Sequence, residues 1–90
     1  MPDNHASATR KLPNYGPVRL HYNDGPMIQP RSGMGRLALA QMEDHPNNAS
    51  ALARAKGLAS MGKLHMGRIH DQRTEEPIYS IPELLEVLDA

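Results

Sequence analysis

Residues 61–70 read MGKLHMGRIH, in which one five-residue unit (Met, Gly, a cation, an aliphatic residue and His) occurs twice in tandem. A partial third copy, MGRL, stands at residues 34–37. Small and apolar residues recur every three to four positions from Leu52 through the repeat to Ile69. Because that spacing places side chains on one face of a helix, it predicts a helix over residues 48–70.

Three glycines interrupt this predicted helix: Gly57, Gly62 and Gly67. Each glycine costs about 1 kcal/mol relative to alanine inside a helix. A continuous helix over this segment is therefore unstable in isolation. We expect either a break at Gly57, which yields two helices, or close packing of another backbone against the glycines.

The sequence after residue 79 carries the clearest helix signal in the chain. Ser80 and Glu83 have the spacing of a capping box, in which each side chain accepts a hydrogen bond from the other's backbone amide, and Pro82 suits the first helical turn. These residues predict a helix over 81–89. Its apolar face consists of Leu84, Leu85, Val87 and Leu88.

Upstream of the repeat, the pattern predicts one further helix and one short hairpin. Good helix formers in the segment 34–44, followed by Pro46, indicate a helix that ends before the proline. Alternation of apolar and polar residues over 18–22 is typical of a strand, and the turn signal Asn-Asp-Gly follows it. We therefore expect a short β-hairpin over residues 18–29.

These elements together predict a mainly α fold. We expect one small domain over residues 18–90, with two or three packed helices of which the C-terminal one is capped. Residues 1–17 contain three prolines and little apolar pattern, and they are predicted to form an extended N-terminal arm. The core is thin, because the 90-residue chain contains no Phe and no Trp.

A formal net charge of zero hides a segregation of charge along the chain. Residues 49–73 carry a net charge of +4, and residues 74–90 carry −5. The simplest expectation is that these segments form ion pairs with each other; the alternative is that each faces a different partner.

The sequence has no Cys and no recognisable signal peptide or membrane-spanning run. We therefore expect a cytoplasmic or intravirion protein without a membrane partner.

The repeat contains Met/His pairs that suit a soft metal ion such as Cu(I). Met61 and His65, and likewise Met66 and His70, are four residues apart and would share a face of a helix. This spacing resembles the Met/His motifs of silver- and copper-binding resistance proteins over these short segments. Successive units are five residues apart, however, which separates the two histidines by about 140° around a helix. One helix cannot direct both pairs at one ion, so metal is a minor alternative and no cofactor is predicted.

The predicted break at Gly57 gives this region a partial resemblance to a helix-turn-helix DNA-binding motif. Such a motif would present four cations to nucleic acid: Arg54, Lys56, Lys63 and Arg68. The zero net charge and the acidic C-terminal segment argue against a strong footprint on phosphates. Nucleic acid is therefore an alternative partner.

No sequence motif for catalysis is recognisable, so we predict that the protein is not an enzyme. It is expected to bind another protein or to form a homo-oligomer. The first interpretation is a structural accessory of a larger assembly, such as a virion or another multi-subunit particle, whose arm is ordered by its partner. The alternative is a small inhibitor, of the kind that mobile elements encode, which docks on a host complex. The candidate contact surface is the apolar face of the C-terminal helix.

Overall fold

The computed structural model describes residues 9–25 and 39–89. Within these ranges the elements follow one another in ββαββα order. They are β1 (Val18–Asn23), β2 (Ala40–His45), α1 (Asn48–Ser60), β3 (His65–Asp71), β4 (Pro77–Tyr79) and α2 (Ile81–Leu88).

The four strands form one antiparallel sheet with the spatial order β2-β1-β3-β4. β1 pairs with β2 over six residues on one side and with β3 on the other. The register of the β1–β3 pair shifts between His21 and Asn23. This shift marks a β-bulge on β3 near Met66, whose φ of 54° is left-handed. β2 and the short β4 are the two edge strands.

Alternation along β1 separates the two faces of the sheet. Val18, Leu20 and Tyr22 are buried and face the helices, whereas the residues between them face the other way. α1 and α2 both pack on this one face and supply further core residues. The buried core consists of Val18, Leu20, Tyr22, Ala51, Ala55, Leu58, Ile69, Ile78, Tyr79 and Leu84.

Both helices begin at a side-chain cap. The side chain of Asn47 caps α1 by accepting a hydrogen bond from the amide of Ser50 at 2.9 Å. After α1, Gly62 adopts a left-handed φ of 71° and turns the chain into β3. The predicted capping box of α2 is confirmed, because Ser80 and Glu83 each accept a hydrogen bond from the other's amide. Neither helix of the described residues has the length and hydropathy needed to cross a membrane.

The prediction of a mainly α fold is wrong, because two segments expected to be helical are strands. Residues 40–45 of the predicted helix 34–44 form β2, and residues 65–70 of the predicted helix 48–70 belong to β3. The helix formers of β2 are extended because they pair with β1 along the whole strand. Tertiary pairing thus overrides local propensity in this edge strand.

Other boundaries also differ from the prediction. α1 continues through Gly57 and ends before Gly62, so the expected break does not occur. The first strand of the predicted hairpin is β1, but its partner is β2. Residues 26–29 of that hairpin, 34–38 of the upstream helix and 1–8 of the arm lie outside the described residues.

Residues 9–17, here called the N-terminal strap, are tied to the start of α1. The side-chain amide of Asn48, which is fully buried, donates hydrogen bonds to the carbonyl oxygens of Arg10 and Leu12 at 2.5 and 2.9 Å. Its Oδ1 has no hydrogen-bond partner among the described residues. The described part of the predicted arm is thus ordered by the chain's own core.

Two ion pairs fix the strap to the C-terminal part of the chain. Arg10 pairs with Glu76, and Lys11 pairs with Glu83 at the start of α2. Among the described residues, the acidic segment makes its ion pairs with the strap and none with the basic segment 49–73. The expected pairing of the two oppositely charged segments is therefore wrong.

Candidate functional site on the open face of the sheet

The open face of the sheet is defined here as the face that points away from α1 and α2. No helix or strand of the described residues packs on it. The register places two rows of side chains across this face. One row consists of Asp44, Arg19 and His70. The other row consists of Met42, His21 and Arg68.

Two imidazole rings lie in contact on the open face. His21 of β1 and His70 of β3 are diagonal neighbours, with ring centroids 4.9 Å apart and ring planes at 60°. Nδ1 of His70 lies 3.0 Å from the carbonyl oxygen of Glu75. Because a carbonyl oxygen only accepts hydrogen bonds, Nδ1 donates in this contact, and neutral His70 keeps its lone pair on Nε2.

A shallow cavity of about 300 Å³ opens beside the two rings. Its lining contains two imidazoles, a thioether, a guanidinium and carboxylates. The lining residues are Arg19, His21, Met42, His70, Asp71 and Glu75. Such a set can bind either a metal ion or a polar ligand.

Burial lowers the pKa of His21 below its usual value, and the neighbouring positive groups lower it further, namely protonated His70, Arg68 and Arg19. Arg19 also donates to Asp44, with 2.7 Å between Nε and Oδ1, and this contact lowers the pKa of the Asp44 carboxyl. Burial and these cations therefore favour the neutral form of His21, in which one ring nitrogen retains a lone pair.

On the face of the sheet that the helices cover, a polar network around Glu43 connects β2 to α1. Tyr22 Oη donates to Glu43 at 2.8 Å, and Arg54 Nε donates at 3.1 Å. His45 bridges Glu43 and Ser50, with Nε2 3.2 Å from Oε1 and Nδ1 2.9 Å from Oγ. Burial acts to raise the pKa of Glu43, but the hydrogen bonds from Arg54, Tyr22 and His45 outweigh it and lower this pKa.

Ser50, His45 and Glu43 are connected in the order of a nucleophile, a base and an acid in a serine hydrolase. The described residues offer no oxyanion donors at the start of α1, because its first three amides (residues 48–50) all donate to acceptors within the chain. Glu43 is also paired with Arg54. The network is suited to holding β2 against α1, and the absence of enzymatic activity stays a prediction.

The cations of the helix-turn-helix alternative do not share one surface. Arg54 and Lys56 lie on α1, and Arg54 is paired with Glu43. Lys63 lies in the turn after α1, and Arg68 lies on the open face, on the opposite side of the molecule from the helices. The second helix of the motif is replaced by β3, so the helix-turn-helix prediction is wrong. Nucleic-acid binding itself stays an untested prediction.

The four Met/His ligands predicted from the repeat do not share one helical face, because the segment is not one helix. They are Met61, His65, Met66 and His70. His65 Nε2 donates to the carbonyl of Gly62 at 3.0 Å, and Met66 Sδ accepts from Asn23 at 3.7 Å. Of the four, only His70 lines the cavity. In the described part of the chain, no three His, Cys, Asp or Glu side chains converge as metal ligands.

The predicted contact face of α2 divides into two pairs. Leu84 is fully buried in the core, and Leu88 packs against the core while partly exposed. Leu85 and Val87 are 55% and 42% exposed. Leu84 and Leu88 therefore belong to the core, and only Leu85 and Val87 remain available to a partner.

Sequence reasoning missed His21 as a candidate site residue, and it noted Met42 only as half of a further Met/His pair with His45. The alternation over 18–22 would have placed His21 on the face opposite the core, but nothing in the sequence identified its neighbours. Met42 was paired with His45 because β2 has the composition of a helix, in which residues three apart share a face.

Comparisons with protein-family models, with curated proteins and with solved structures found no match.

Proposed function

We propose that this protein acts by binding another protein without catalysis, as a small accessory of a larger assembly. The observation that carries the proposal is the outer edge of β2, a six-residue strand with no described neighbour on that side. A partner would add an extended segment to this edge as a fifth strand, held by backbone hydrogen bonds.

The edge of β2 lacks the usual protection against strand addition. Unpaired backbone N–H and C=O groups at a sheet edge invite pairing, and proteins commonly block them with Pro, Lys or a β-bulge. β2 reads AQMEDH and contains neither Pro nor Lys. Its register with β1 is regular throughout. These features favour an edge that accepts another strand.

The ionisable side chains of β2 are held by the chain itself. Glu43 is paired with Arg54, Asp44 is paired with Arg19, and His45 contacts Ser50 and Glu43. Side chains held in this way do not extend outward to shield the backbone. Next to them, Leu39 and Met42 are 60% and 58% exposed. The edge therefore offers apolar contacts together with backbone groups that no described segment of the chain pairs with.

We propose a different protein, rather than a second copy of this chain, as the occupant. β2 carries two carboxylates, Glu43 and Asp44, and no Lys or Arg, so pairing with a second copy would bring four carboxylates and no cation from the strands to the shared edge. A segment with an apolar residue beside Met42 and a cation near the carboxylates is complementary. A small inhibitor of a host complex could use the same edge, so the identity of the partner decides between the two roles.

The test compares Met42→Lys with Met66→Lys. Both side chains are more than half exposed, but Met42 lies on the edge strand and Met66 on a central strand. Each variant is used to capture proteins from the native source, and the affinity for the recovered partner is then measured by titration. We expect Met42→Lys to weaken binding by at least about tenfold, or ~1.4 kcal/mol. Met66→Lys and Met42→Leu should bind as the unchanged protein does.

Equal affinity of the Met42→Lys and unchanged proteins for that partner would contradict the proposal, as would an equal loss in both lysine variants. Sedimentation of the purified protein gives a second measurement. If it forms a dimer that Met42→Lys dissociates, the edge is occupied by a second copy and the proposed occupant is wrong.

A further inference from the structure

We infer that His21, His70 and Met42 form a binding site for a soft monovalent metal ion, Cu(I). This site lies on the open face and does not depend on the proposed strand addition. The three side chains come from β1, β3 and β2 and line the same cavity of about 300 Å³. Met42 stands directly opposite His21 in the register, and His70 is the diagonal neighbour of His21 on the other side.

The separation of the two rings suits a shared ion. With metal–nitrogen bonds of about 2.1 Å, two imidazoles bound at an angle between about 95° and 120° have ring centroids roughly 4.7–5.5 Å apart. The centroids of His21 and His70 are 4.9 Å apart. The strands therefore already hold the rings within the range of spacings that allows both to bind one ion.

The hydrogen bond of His70 also matches a metal ligand. Histidines that bind metals usually donate their other ring N–H to a carboxylate or a backbone carbonyl, which fixes the tautomer and the ring orientation. His70 donates from Nδ1 to the carbonyl of Glu75 at 3.0 Å. Its Nε2 is thus left as the nitrogen that can bind an ion.

The third ligand and the local charge decide which metal fits. The thioether of Met42 is a soft ligand and favours Cu(I) over Zn²⁺ or Mg²⁺. The described residues supply no third His, Cys, Asp or Glu ligand, which divalent ions prefer. The cations of Arg19 and Arg68 lie near three carboxylates, those of Asp44, Asp71 and Glu75, so apart from the histidines the site has a formal charge of only −1. Because Coulomb energies scale with charge, these arginines penalise a monovalent ion less than a divalent one.

The experiment uses the full chain and Ag(I), a redox-stable ion with the ligand preferences of Cu(I), followed by Cu(I) in competition with a chromophoric chelator. NMR of the imidazole resonances localises the ion in the unchanged protein without any substitution. We expect one equivalent to shift the resonances of His21 and His70, and His65 to remain unshifted. His21→Ala and His70→Ala should each weaken the affinity by at least about tenfold, and Met42→Leu should weaken it as well. His65→Ala is the matched control and should bind as the unchanged protein does.

Several results would overturn the inference. They are the absence of Ag(I) and Cu(I) binding, shifts at His65 in place of His21 and His70, and an unchanged affinity in His21→Ala or His70→Ala. Circular dichroism of each variant shows whether its fold is intact, and the NMR localisation decides the matter if a variant does not fold. Met42→Leu separates the two proposals, since it removes the thioether and leaves the β2 edge open to a partner strand.

Discussion

The face of the sheet covered by the helices and the open face are built from the same strands, yet their side chains have different surroundings. On the covered face, Leu20 and Ile69 are completely buried. On the open face, Met42 is more than half exposed, and the rings of His21 and His70 lie beside a cavity. Because successive side chains of a strand point to opposite faces, one set of residues stabilises the core and the residues between them are available for binding. Substitutions on the two sides should separate these two properties.

The largest expected difference is between two adjacent leucines of α2. Leu84 is fully buried, whereas Leu85 is 55% exposed. We expect Leu84→Ala to lower the free energy of unfolding by about 2–5 kcal/mol, since it leaves a cavity in the core. Leu85→Ala should change it by less than about 0.5 kcal/mol. Urea denaturation of both variants measures the two losses of unfolding free energy. Similar losses would show that α2 does not bury Leu84 while exposing Leu85.

A smaller loss is expected where the strap meets the covered side of the molecule. Asn48→Ala removes the donor for two strap carbonyls, those of Arg10 and Leu12. Each hydrogen bond contributes about 0.5–1.5 kcal/mol, so the loss of both costs about 1–3 kcal/mol. Asn14→Ala, at an exposed position of the same strap, is the control and should be nearly neutral. If thermal denaturation gives the two variants the same midpoint, the strap does not contribute to stability through Asn48.

The smallest effect concerns acid stability. Hydrogen bonds from Lys11 and from Ser80 lower the pKa of Glu83 to about 2. A lowered pKa contributes stability that is present above the usual value near 4.5 and is lost as the pH falls toward 2. We expect Lys11→Met to reduce this contribution by less than about 1 kcal/mol, because both partners are over a third exposed and screened by solvent.

Unfolding curves between pH 6 and pH 2 measure that dependence on acid. The Lys11→Met protein should be less stable than the unchanged protein above about pH 4.5, and the two should converge in stronger acid. Lys56→Met on the surface of α1 is the control. A constant difference at every pH would mean that Lys11 acts through packing and not through the Glu83 carboxylate.

Local signals were sufficient for two elements. The alternation over 18–22 identified β1, and the Ser80–Glu83 spacing identified α2, because each signal depends on residues within one element. They were not sufficient for β2 and β3. Residues 40–45 are extended because β1 lies beside them, and that pairing joins residues between 17 positions apart (Asn23 and Ala40) and 27 positions apart (Val18 and His45). A pattern within one segment does not contain such information.

In the repeat, the helical spacing of three to four residues was preferred over the strand period of two, and this choice determined which residues were predicted as ligands. Over residues 67–71, buried Gly67, Ile69 and Asp71 alternate with Arg68 and His70, which is a strand pattern that a spacing of three to four obscures. The Met/His pairs consequently predicted a site within one helix. The proposed ligands instead come from three strands, and only the register of the sheet shows that they are neighbours.

The ion pairs of the strap also constrain the order in which the molecule can be completed during synthesis. Arg10 and Glu76 are 66 positions apart, and Lys11 and Glu83 are 72 positions apart. At translation rates of about 5–20 residues per second, roughly 4–14 s separate the synthesis of Lys11 from that of Glu83. Until then Asn48 can hold the strap through the carbonyls of Arg10 and Leu12, but the partners of its ion pairs, Glu76 and Glu83, are not yet made. A nascent chain of this protein therefore completes the ion pairs of its first described residues only when α2 is being synthesised.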